Sequence, residues 1–163
     1  MLHTTFRNTI ETPVPKDVDP QSLIDILHDH SHLITMSPIV TRHELRDHDR
    51  ATGKRTYNVW EDIDLLPFGW WKKEIQFQCS FEDQQNGVIS WIEAPMGLTS
   101  KAEYIVHSGP AGDGQGMVLE ERIESSCHVT FRPFVEWTMV PVRKKMHAQM
   151  LAEARERAEN ARS

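Results

Sequence analysis

The sequence predicts a single α+β domain: one strand, one or two short helices, an antiparallel sheet completed by six further strands, and a long C-terminal helix. Three observations predict it. Between residues 39 and 131 six runs show period-two or β-rich patterning and are separated by turn residues. From residue 138 the apolar positions become Met139, Val142, Met146 and Met150, at the three-to-four spacing of a helical stripe. A shorter stretch of the same period, with Leu23, Ile24, Leu27, Leu33 and Ile34, follows the first strand.

LHTTFRNTIET, residues 2–12, alternates loosely and is rich in threonine, so it reads as a strand ended by Pro13 and Pro15. Asp19 is placed to cap a helix with Pro20 at its first position, where the missing N–H is no loss. That helix, in one piece or two, stops before Pro38. IVTRHELRDHD, RTYNVWEDIDLL, WKKEIQFQCSF, GVISWIEA, SKAEYIVH and MVLEERIESSCHVTF then follow, joined by the turn segments RATGK, PFG, EDQQNG, PMG and SGPAGDGQG. For the last helix Thr138 is the expected cap, with Pro141 inside the first turn. The charged tail, about 153–163, is expected to fray, and all of residues 1–163 are assigned to one domain.

Composition excludes several function classes. A net charge of −6 and a pI near 5.8 argue against a nucleic-acid surface, which needs a basic stripe. Arg143, Lys144 and Lys145, and then Arg155 and Arg157, sit among glutamates and read as a solvated helix face. No run approaches the length of a membrane span, so no stable membrane insertion is expected, and the protein is expected to be soluble and cytoplasmic. Two cysteines, Cys79 and Cys127, cannot build a disulfide framework or a four-cysteine zinc site. His28 and His32 have a helical spacing that metal sites use, but no second ligand pair follows; no metal and no cofactor are expected.

In 117–131, Met117, Leu119, Glu121, Ile123, Ser125, Cys127, Val129 and Phe131 share one strand face, so a carboxylate interrupts an apolar row. Glu61 interrupts the row of Tyr57, Val59, Ile63 and Leu65 in the same way, and Lys73 the row of Trp71, Ile75, Phe77, Cys79 and Phe81. An ionised carboxylate facing apolar packing costs several kcal/mol unless it is paired, so each has a partner or faces something other than core. Parity does not decide the facing of SKAEYIVH or GVISWIEA, where both rows carry apolar residues.

The order of these elements resembles that of the START-like superfamily, whose members include polyketide cyclases, aromatase/cyclases, pathogenesis-related proteins and lipid-transfer domains, and more narrowly its small fungal members. The likeness spans residues 2–158 and rests on element order, so it carries over no catalytic motif. It implies a helix-grip fold: a bent antiparallel sheet of about seven strands wrapped around the C-terminal helix, with an apolar cavity between them. In such a cavity Glu61 and Glu121 are the candidate acid/base groups, with Tyr57 and Lys73 to polarise a carbonyl. Trp71, Phe77, Met117, Leu119, Met139, Val142 and Met146 are the candidate walls, and Phe68, Trp70 and Trp91 the candidate mouth.

The structural alternative sets ion pairs of Glu61 with Lys73, or Glu121 with Arg42, at a rim without ligand. LLPFGWWKK, residues 65–73, reads as a tip folded into the core, a lid, a homodimer contact or an interfacial anchor. Three functions follow: a cofactor-independent cyclase, dehydratase or isomerase acting on a polyketide- or terpenoid-like natural product of secondary metabolism; a carrier of a lipid or sterol; or an interaction module.

Overall fold

The computed structural model describes residues 2–64, 71–109 and 116–163. Among these residues seven strands form one antiparallel sheet: β1 His3–Pro13, β2 Val40–His48, β3 Arg55–Asp64, β4 Lys72–Gln84, β5 Gly87–Ala94, β6 Leu98–Ser108 and β7 Met117–His128. Their order is β1-β7-β6-β5-β4-β3-β2, so the meander is continuous and the first strand closes onto the last. Helices α1 Pro20–His28 and α2 His30–Thr35 lie between β1 and β2, and α3 Arg132–Arg162 ends the chain. The bent sheet and the long terminal helix make the helix-grip fold.

Local chemistry sets the helix boundaries. The Asp19 carboxylate accepts from the backbone N–H groups of Gln21 and Ser22, with Pro20 at the first position as expected. Asp29 separates α1 from α2, serving as the end of one and the cap of the other through the N–H of His32. The expected start of α3 is corrected. The helix begins at Arg132 with Pro133 in its first turn, so Pro141 lies inside it, and Thr138 donates back to the carbonyl of Phe134 instead of capping. The helix continues through the charged tail to Arg162.

The sheet has one covered face. Along β7 Leu119, Glu121, Ile123, Ser125 and Cys127 are buried while Arg122 and Glu124 are exposed; Glu120, on the outer face, is buried too, under His107 and Arg122. The two undecided strands resolve without a bulge: Val88, Ser90 and Ile92 pair with Tyr104, Ala102 and Ser100, which puts the first two of each set in the core and Trp91 outside. Gly87 is required by close approach, since a Cβ there would sit 1.7 Å from the Tyr104 carbonyl oxygen. Val59, Val88, Val106, Leu119 and Ile123 from the sheet meet Leu23, Ile26 and Leu27 of α1 and Met150 and Ala154 of α3. The buried stripe of α3 carries His147, Met150 and Ala154, one residue off the line through Val142 and Met146.

Candidate functional site

Strands β3 to β6, helix α2 with the segment after it, and the middle of α3 enclose a cavity of about 520 Å³, within the usual range for small-molecule sites. Val59, Phe77, Cys79, Phe81, Ile92 and Tyr104 form its sheet wall, Leu33, Ile34 and Met36 the α2 side, and Val142, Arg143, Lys145, Met146 and Gln149 the α3 side. Pro38, Val142, Lys145 and Gln149 are exposed and mark its mouth. The wall is mostly apolar because consecutive strands each contribute one inward row.

Glu61 stands on that wall with no hydrogen-bond or ion-pair partner among the described residues. Burial pushes its pKa above the ordinary glutamate value, with no neighbouring charge to oppose it. Cys79 is pushed up to about 12, mainly by burial, so it is a thiol and no nucleophile.

Glu121 is fully buried and lies behind the wall, held by two residues one turn apart on α3. Arg143 Nη1 donates to Oε1 at 2.8 Å, and His147 Nε2 donates to Oε2 at 2.8 Å. Thr12 Oγ1 lies 2.8 Å from the other ring nitrogen of His147, and Arg143 Nη1 also reaches the Tyr104 hydroxyl at 2.8 Å. Burial pushes the Glu121 carboxyl up, but Arg143 and His147 outweigh it and hold the pKa below the ordinary value. Glu121 therefore has partners, and it stays ionised.

Of the candidates chosen from sequence, Glu61, Phe77, Val142 and Met146 line the cavity. Tyr57 does not. It is buried beside His30, its hydroxyl 3.4 Å from His30 Nδ1, where His30 stacks on Phe81 and binds Asp83 at 2.7 Å. Lys73, near the start of β4, and Trp71, just before it, are exposed. Leu119 is core, and Met117 and Met139 pack against the core away from the cavity. Trp91 sits on the outer face under Lys54, whose Nζ is 4.2 Å from the ring centroid. Phe68 and Trp70 lie outside the described residues, as does most of the 65–73 tip.

The Arg42 pairing is also corrected: β2 is the edge strand far from β7, and Arg42 lies over Trp60 and 3.8 Å from Glu74. The histidines of LHDHSH fasten helices to other elements. His28 meets the carbonyls of Gln84 and Gly87, and His32 meets Glu153 of α3.

Sequence reading missed Arg143, Tyr104 and His147. Arg143, His147, Met150 and Ala154 recur at helical spacing, which is the signal that the arginine belongs to the buried stripe and not to the neighbouring lysines.

Fold and site together define a helix-grip protein with a mostly apolar cavity between sheet and terminal helix. The chain belongs to the family described as a domain of unknown function, DUF7053, whose model matches residues 3–156. No curated protein matches the sequence. Among solved structures, the chain is similar to the di-domain ARO/CYC BexL from the BE-7585A biosynthetic pathway, at a TM-score of 0.59 and 12% identity over 95% of this chain. It spans half of BexL's length. It is similar to the Zhui aromatase/cyclase from Streptomyces sp. R1128, with a TM-score of 0.59, 11% identity and 95% of each chain covered. It is also similar to truncated norcoclaurine synthase from Thalictrum flavum, with a TM-score of 0.57, 12% identity, and 95% of this chain and 93% of that one covered. At these identities the likeness shows the fold. No helix among the described residues is long and apolar enough to cross a membrane.

Proposed function

We propose that the protein is a cofactor-independent enzyme that takes a hydrophobic natural product, polyketide- or terpenoid-like, into the cavity and rearranges it by proton transfer, as an isomerase, dehydratase or cyclase of cytoplasmic secondary metabolism. The observation that carries this reading is Glu61, a carboxylate with no partner among the described residues on a mostly apolar cavity wall, with its pKa raised by burial. A carboxylate in that setting is both a stronger base and a more available acid near neutral pH than one in water. The cavity supplies what remains, a shape that folds and orients the substrate. Two of the similar structures carry names of cyclising or synthase enzymes, which agrees with this use of the fold.

The test uses a generic proton-transfer probe. 5-Nitrobenzisoxazole opens when a base removes its ring C–H proton, and an apolar pocket with a raised-pKa carboxylate accelerates that step. The wild type is expected to show saturable turnover that rises with pH through an apparent pKa above the ordinary glutamate value of 4.5, because the ionised form is the base. Glu61→Gln is expected to lower it by roughly a hundredfold while keeping the fold. Equal rates for Glu61→Gln and wild type would remove the acid/base role. If a fluorescent fatty acid still saturates both proteins, the lipid or sterol carrier reading takes its place.

A further inference from the structure

Arg143 has more to give than it uses within the protein. Its guanidinium carries five N–H donors in a rigid plane. Two of them sit on Nη1, which serves Glu121 and Tyr104, each at 2.8 Å. Nε and Nη2 donate to no described residue. They are not sealed away: among the described residues the one buried side-chain nitrogen or oxygen without a partner is Asn8 Nδ2, so both Arg143 nitrogens reach accessible space. The Arg143 side chain is 14% exposed, and the residue lines the cavity.

The tethers fix where the spare donors point. Glu121 is itself clamped by His147, and His147 by Thr12, so the guanidinium is anchored through a chain of buried contacts to β7 and β1. Charge decides what they receive. Arg143 is matched by Glu121, and the two other ionisable groups on the cavity wall with a formal charge, Lys145 and Glu61, are of opposite sign. The lining is therefore close to neutral, and what it lacks is an oxygen acceptor for the N–H groups of Nε and Nη2, not a counter-ion.

We propose that Arg143 is the polar anchor of the cavity and that the ligand is an apolar molecule bearing a carbonyl oxygen, which accepts from Nε and Nη2 of Arg143. This deepens the reading above and rests on the cavity being a ligand site. In that pose the arginine takes the oxygen of a carbonyl compound while Glu61, without a partner among the described residues, lines the same cavity.

The experiment measures binding of three naphthalenes of matched shape: 2-acetylnaphthalene, 2-ethylnaphthalene and 2-naphthoate. Wild type is compared with the double variant Glu121→Gln/Arg143→Met, which removes both members of the buried ion pair and leaves no charge stranded. The expected result is that the affinity ratio of ketone to hydrocarbon falls roughly tenfold or more in the variant, while the hydrocarbon binds both proteins alike. Should the double variant fail to fold, Arg143→Lys keeps the charge against Glu121 and removes the planar fork, and the same fall in the ratio is expected. An unchanged ratio overturns the anchor and leaves the cavity reading standing. Selective loss of naphthoate binding, with the ketone unaffected, overturns it in favour of an anion site. Failure of all three compounds to bind wild type overturns the cavity reading and the anchor together.

Discussion

Glu121 Oε1 and Arg143 Nη1 lie 2.8 Å apart, joining the middle of β7 to the inner side of α3 where the sheet grips the helix. Both groups are largely removed from water, so the pair contributes orientation more than net stability. It joins Arg143, which lines the cavity from α3, to a carboxylate behind the cavity wall.

Removing Arg143 leaves the buried Glu121 carboxylate without its guanidinium partner, though His147 still binds it. Arg143→Met alone is expected to destabilise the fold by about 3–5 kcal/mol in urea unfolding, and Glu121→Gln/Arg143→Met by clearly less. Additive losses in the double-mutant cycle would show that the two residues act independently.

Two glutamates give stability opposite slopes with pH. The Glu121 pKa is lowered in the folded state, so its contribution is full above the ordinary value of 4.5 and is lost as pH falls through the lower folded value. The Glu61 pKa is raised, so the folded state holds its proton longer, and stability declines as pH rises from 4.5 through the higher folded value. Glu61→Gln is expected to gain stability relative to wild type across that second window, read from urea midpoints at a series of pH values. A constant difference would mean that Glu61 is solvated.

Filling the cavity should separate binding from folding. Met146 lines it and is only half-buried, so Met146→Trp has room to place its ring in the cavity at a cost of about 1–3 kcal/mol or less. Saturable binding of a fluorescent fatty acid is expected to weaken at least roughly tenfold, with the thermal transition still cooperative. Undiminished binding would put the ligand elsewhere.

Gly87→Ala should damage the site from a distance. The added methyl would lie 1.7 Å from the backbone oxygen of Tyr104, so β5 and β6 must part where Tyr104 forms the cavity wall. A loss of about 2 kcal/mol or more in unfolding free energy is expected, in line with other forced overpacking. Wild-type stability in this variant would show that the two strands can shift without penalty.

The sequence by itself determined the element order, the cap at Asp19 and the inward row of β7, because side-chain alternation and capping are local rules that act within a few residues. It also marked Glu61 and Glu121 as carboxylates in apolar rows. What became of each was decided by tertiary structure. Glu121 received Arg143, 22 positions away on another element, while Glu61 received no partner among the described residues, and strand parity is the same for both. The start of α3 was lost for a related reason: Pro141 suggests a first turn by its missing N–H, but the helix begins before it at Arg132. A short-range pattern states which way a side chain points. Whether it meets solvent, a cavity or an opposite charge depends on which distant element is packed there, and on how far that element is rotated.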